Sequence, residues 1–192
     1  MKKLFIILFA AVALSANAQN ISFQLVTGLG GAFTFGEMPA YGISAAVEPK
    51  IFINSNISAG LRFEGDVLIG GNIDTDNPTE LTVGMSSRTA QLIKAEYYFT
   101  DMKARPYAGF GIGRFTQANI GTSSAGDVSL QAVNGFGVAP EVGIALGGFR
   151  ISAIYNIVPG KELVEIELGD TREVAKNYLV IQMSWKMFNI NF

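Results

Sequence analysis

The chain has neither histidine nor cysteine among its 192 residues. The first absence removes the usual general base near neutral pH. The second removes disulfides, thiolate nucleophiles and the anchor residue of a lipoprotein. Charge is sparse: 16% of residues are Asp, Glu, Lys or Arg, against roughly 25% in ordinary soluble domains. Long apolar runs are also missing. The longest, Leu4 to Leu14, has eleven residues, too few for a helix that crosses a bilayer, which needs about 20. A low charge fraction without a transmembrane helix leaves strands as the route to a nonaqueous neighbour.

That apolar run has its own meaning. Lys2 and Lys3 precede it, and Ala16-Asn17-Ala18 follows as a small-x-small cleavage site. This is the pattern of a secretory signal peptide, residues 1–18, cut before Gln19 and leaving a single domain over 19–192. Loss of Lys2 and Lys3 leaves 12 basic and 16 acidic residues, a formal charge of −4. Such a balance excludes a strongly basic nucleic-acid surface.

The mature sequence alternates with period two, the signature of strands whose side chains point to opposite faces. From Ile57 one face reads Ile57, Ala59, Leu61, Phe63, Gly65, Val67, Ile69, and the other Ser58, Gly60, Arg62, Glu64, Asp66. The same pattern predicts eight strands near 20–36, 41–53, 56–71, 84–99, 106–115, 134–146, 149–158 and 176–188. Most reach the roughly 9–11 residues that a tilted membrane strand needs. Short turns follow the second, fourth and sixth strands, and long loops, 71–83, 116–133 and 159–175, follow the third, fifth and seventh. That asymmetry is the habit of an outer-membrane barrel. The fold class expected is all-β, an eight-stranded antiparallel up-and-down transmembrane β-barrel.

The two faces divide by chemistry. Glu48, Lys50, Arg62, Glu64, Asp66, Arg88, Lys94, Glu96, Glu141, Arg150 and Lys186 all fall opposite the continuous apolar face. Five are acidic and six basic, a near balance that points to mutual pairing inside a closed lumen as a structural network. Eight strands enclose a space just wide enough for side chains to fill. The run Gly109-Phe-Gly-Ile-Gly113 belongs to this scheme and not to a phosphate loop. Its glycines recur every second residue with no helix pattern after them, so they face the lumen while Ala108, Phe110 and Ile112 face lipid.

Taken together, the leader, the eight amphipathic strands, the YYF…RPYAGFGIG strand–turn–strand of Tyr97–Phe99 and Arg105–Gly113, and the C-terminal Phe192 resemble the small outer-membrane β-barrel family of OmpX and the OmpA transmembrane domain. The Ala18–Gln19 junction resembles exports of the Bacteroidetes group. The resemblance implies a bacterial outer-membrane location, both termini in the periplasm, a surround of outer-membrane lipid, a monomer, and insertion by the barrel-assembly machinery, which in this family reads a terminal aromatic such as Phe192. The OmpA resemblance stops at the barrel, and no peptidoglycan-binding domain is expected after the last strand. One departure is evident: Phe188, Ile190 and Phe192 have the parity opposite to Trp185 and Met187, which requires a bulge near 186–188 or an early end to the strand.

Barrel enzymes of the outer membrane rely on a histidine paired with serine or carboxylate, and this chain has none, so no turnover and no cofactor are expected. Glu64 and Asp66 share a face, but Arg62 beside them makes an ion network the expected arrangement. Asp74-Thr-Asp-Asn77 resembles the start of a calcium loop without its glycine or distal glutamate, so no metal is expected. The outer loops are acidic, and Lys161 to Leu168 alternates enough to form a hairpin arm able to pair with a foreign strand. Three functions fit: a structural or surface-interaction barrel that meets an extracellular protein or surface ligand through loops 71–83, 116–133 and 159–175; a narrow porin-like channel for small solutes; or a soluble periplasmic binding barrel.

Overall fold

The structure, a computed structural model, describes residues 21–35, 39–73, 81–122, 128–159, 162–167, 170–174 and 177–192. The expected signal peptide and the Asp74–Asn77 run lie outside the described residues. Among the described residues ten strands are present: β1 Ser22–Thr34, β2 Ala40–Phe52, β3 Ile57–Ile73, β4 Leu81–Tyr98, β5 Ala104–Thr122, β6 Val128–Leu146, β7 Phe149–Asn156, β8 Glu162–Glu167, β9 Asp170–Val174 and β10 Tyr178–Asn191. Eight of them close into a barrel in the order β1-β10-β7-β6-β5-β4-β3-β2, each antiparallel to its neighbours. β8 and β9 form a separate hairpin within the expected 161–168 arm and beyond it.

The turns at one end are tight, and each has a local cause. Between β2 and β3, Asn54 Oδ1 accepts the N–H groups of Asn56 at 2.8 Å and Ile57 at 2.7 Å, an Asx turn. Between β4 and β5, the Phe99 N–H donates to the Pro106 carbonyl at 3.0 Å. Between β6 and β7 only Gly147 and Gly148 intervene, and Gly147 has φ 67°, the left-handed conformation a type II′ turn requires at its first central residue.

The parity of the last strand is settled by a bulge. Val26 lies opposite Lys186 but Leu25 lies opposite Phe188, so Met187 is the extra residue. Pairing then continues to Asn191, and the Phe192 N–H donates to the Ile21 carbonyl at 2.9 Å. The bulge turns Phe188 and Ile190 outward with Leu25 and Phe23; the Phe23 and Phe188 rings lie 5.8 Å apart.

At the opposite end the strands are longer than the sequence predicts. β5 and β6 pair without interruption from Ala104↔Leu146 to Thr122↔Val128, and β3 and β4 pair as far as Ile73↔Leu81. Much of the expected 116–133 and 71–83 loops is therefore ladder. The apolar alternation fades in this part of the sequence, while backbone pairing continues regardless of side-chain type.

The outer wall is apolar: Leu29, Ile43, Phe63, Ile93, Phe110 and Met183 all point away from the barrel and are exposed. Eighteen polar and charged side chains of the described residues, Glu48, Arg62, Lys94 and Arg150 among them, are buried. This is the inverse of a soluble barrel with an apolar cup, and it excludes the soluble binding barrel among the expected functions. The inside is layered. An apolar plug of Ala32, Leu68, Leu92, Phe115, Ile154 and Val180 fills the long-loop half. Phe52, Tyr98, Tyr107 and Ala145 fill the end by the tight turns. Between them lies the polar layer.

The facing of β5 follows the glycines. Gly111 is buried while Phe110 and Ile112 are exposed. A Cβ on Gly111 would already stand 3.2 Å from Leu92 Cδ1 and 3.5 Å from Ala139 Cβ. Gly111→Trp should therefore prevent folding through overpacking, read as loss of heat-modifiable migration on SDS gels. Phe110→Leu should fold and shift stability by about 1 kcal/mol or less. Equal damage from both would show the facing to be wrong.

Candidate functional site

The site begins with the pleat. On β2, β3 and β4 the residues at i and i+2 share the inner face, so Glu48 and Lys50, Arg62 and Glu64, and Lys94 and Glu96 each enter the lumen as a pair of opposite charges. Glu141 on β6 and Arg150 on β7 enter from the other wall. All eight are buried.

Their contacts form one connected cluster. Lys50 Nζ bonds Glu96 at 2.7 Å. Lys94 Nζ reaches Glu48 at 3.1 Å and Glu96 at 2.9 Å, and also pairs with Glu141. Arg150 spans the barrel, with Nη1 on Glu96 Oε1 at 2.8 Å and Nη2 on Glu48 Oε2 at 2.9 Å. Arg62 pairs with both Glu48 and Glu64 and donates to Gln182 Oε1 at 3.0 Å. Every one of the four glutamates is thus held by at least one cation.

Neutral groups complete the shell. Tyr107 donates to Glu141 at 2.6 Å, Tyr98 and Ser58 donate to Glu96 at 2.8 and 2.9 Å, and Tyr178 donates to Glu64 at 3.1 Å. The Arg150 guanidinium carbon also lies 5.1 Å from the Tyr107 ring centre, close enough for cation–π attraction. These neutral partners are absent from the candidates named by charge, yet parity marks them. Tyr98 shares its face with Glu96, and Tyr107 shares its face with Gly109. Tyr97 and Phe99, on the other face, are exposed.

Asp66 and Arg88 are also buried and lie opposite each other in the β3–β4 register, toward the long-loop end. Arg88 stacks 4.9 Å from the Tyr178 ring centre. Lys186 is the correction. It has inward parity, but it sits exposed beside the bulge, beyond the end of β7, where its N–H donates to the Gly148 carbonyl at 2.8 Å. Water reaches it at the rim, so it needs no internal partner. Without Lys186 the charged residues buried in the lumen, among the described residues, are five acidic and five basic.

A cavity of about 10 Å³ lies beside Glu48, Lys50, Ser58, Gly60, Lys94 and Glu96, room for about one water. Among the described residues no group of three or more carboxylates is placed to hold a metal ion. With every cluster carboxylate engaged by a cation, the arrangement holds charge in place and offers no unpaired base.

The cluster predicts strong coupling. Glu48→Gln would leave Arg62, Lys94 and Arg150 with excess positive charge and should destabilise the barrel by about 3–5 kcal/mol, measured by urea unfolding in lipid vesicles. Glu48→Gln combined with Lys94→Met should recover part of that loss. Additive losses in the double variant would show the two residues to be uncoupled.

No family model matches the chain, and no curated protein matches its sequence. Solved structures do match its shape. The outer membrane protein OprG from Pseudomonas aeruginosa superposes with a TM-score of 0.55 at 11% identity, covering 93% of this chain and 98% of that one. Neisserial surface protein A gives 0.46 at 18%, covering 86% and 97%. Ail of Yersinia pestis gives 0.41 at 11%, covering 88% and 99%. The likeness to OprG is one of fold. A closed antiparallel barrel with an apolar exterior is the form in which strands span the bacterial outer membrane. By its topology, its outer belt and this likeness, the chain has the fold of the small eight-stranded outer-membrane β-barrels.

Proposed function

We propose that the protein is a closed outer-membrane barrel that acts as a structural and surface-interaction module, without turnover and without a solute path. The observation that carries this reading is the balanced ion cluster packed between two apolar plugs. A conducting lumen needs a continuous wet route, and ions crossing this one would have to break several buried pairs at once. The absence of histidine in the whole chain supports the lack of turnover. The recognition surface is then the extracellular side, where β3 to β6 extend beyond the apolar belt and the β8–β9 hairpin stands as its own sheet. Regions 71–83, 116–133 and 159–175 would meet the extracellular protein or surface ligand.

Reconstituted in planar bilayers, the protein should give no steady single-channel steps. Reproducible stepwise conductance would overturn the closed-lumen reading in favour of the narrow channel. Shortening 116–133 and 159–175 while retaining the barrel should reduce adhesion of cells to a protein-coated surface. Unchanged adhesion in cells whose shortened barrel is still heat-modifiable would remove the surface-interaction role.

A further inference from the structure

The apolar outer wall carries a cluster of polar residues on β4, β5 and β6. The outward positions of β1, β2 and β3 are apolar or glycine except for Thr27. On β4, β5 and β6 they turn polar toward the long-loop end: Thr89 and Gln91, Arg114 and Thr116, and Asn134. The register gathers them into one patch. Gln91 lies opposite Arg114, and Thr89 opposite Thr116, which lies opposite Asn134. Among the described residues Arg114 is the sole charged residue at an outward wall position.

The patch is organised around that charge. Arg114 Nη2 donates to Asn134 Oδ1 at 3.0 Å, and Thr116 Oγ1 donates to the same oxygen at 2.7 Å. Asn134 thus holds the guanidinium on the outer surface. A guanidinium has five N–H donors. Among the described residues no carboxylate pairs with it, although each of the four cations in the central ion cluster has an anionic partner. Arg114 lies nine residues along β5 from Arg105 at the tight-turn rim. At about 3.3 Å per residue and a tilt near 40°, that is a height of roughly 23 Å. The apolar band of such barrels is about 25 Å tall. Arg114 therefore sits where acyl chains give way to headgroups in the outer leaflet.

We propose that this exterior patch is a binding site for a phosphate-bearing lipid of the outer leaflet, with Arg114 as its anchor and Thr89, Gln91 and Thr116 as hydrogen-bonding neighbours. Charge and height select this occupant. A guanidinium fork matches phosphate oxygens, the phosphate supplies the missing counter-charge, and the lipid's chains lie on the apolar wall below, at Ile93 and Ile112. The inference rests on the membrane-spanning architecture and is independent of whether the lumen conducts.

Native mass spectrometry of the full refolded chain in detergent tests it, with dipalmitoyl phosphatidic acid as probe, the matching diacylglycerol as the phosphate-free control, and inorganic phosphate as a third arm. Phosphatidic acid should be retained about tenfold over diacylglycerol, and Arg114→Gln should remove that preference. Arg114→Lys, which keeps charge but loses the fork, should retain part of it. Lys186→Gln, at the opposite rim, should change nothing. Heat-modifiable migration shows whether each variant is a folded barrel, so failure of the membrane fold is distinguished from failure of the site. Equal retention of the phosphate-free lipid, equal binding of inorganic phosphate, or an equal loss in Lys186→Gln would overturn the proposal. So would a dimer that Arg114→Gln dissolves, since the patch would then be a contact between copies.

Discussion

Within a bilayer no water is available to satisfy a backbone N–H or C=O, and an unpaired one costs several kcal/mol. The ladder between β1 and β10 meets that demand at the seam where the sheet would otherwise end in two edges. It runs from Thr34↔Tyr178 to Ser22↔Asn191, with one extra residue, Met187, accommodated as a bulge. Bulges increase local twist and coiling, which a closing strand requires. The bulge also restores outward facing to Phe188 and Ile190, so β1 and β10 together complete the apolar outer surface at that rim.

Closure with eight strands fixes the interior at about the width of two facing side chains. What enters must therefore be mutually compatible. Burying ten charged residues would be prohibitive for any that lacked a partner. The solution is balance: pairs at i and i+2 on β2, β3 and β4, and Arg150 reaching across to two glutamates on different strands. Such cross-barrel bonds tie together strands that share no backbone ladder. Glycines on the inner face of β5 make room for them. At Gly109 an added Cβ would lie 3.4 Å from both Glu96 and Glu141 side chains.

Much of this was legible from the residues. Period-two alternation placed all eight barrel strands, and facing followed from charge on one parity and continuous apolar residues on the other. Ten of the eleven charged lumen candidates are buried in the barrel. Lys186 was not separable by parity, because facing is a property of the residue while burial depends on how far neighbouring strands extend. β7 ends its pairing with β10 at Phe149↔Trp185, one residue short of Lys186. The lengths of β5 and β6 were hidden for a related reason. Above the membrane neither face is greasy, so periodicity vanishes while hydrogen bonding continues.

The sequence by itself determined the class of structure: strands and not helices, apolar outside and charged inside, since alternation and the sign of each face are one-dimensional properties. It left open which charge meets which. Glu48 and Arg150 are 102 residues apart in the chain, and their 2.9 Å contact exists only because closure brings β2 and β7 to face each other across a narrow lumen. The polar patch at Arg114 is likewise a tertiary fact. Thr89, Gln91, Thr116 and Asn134 are scattered over three strands, and only the antiparallel register assembles them around one charge at the height of the headgroups.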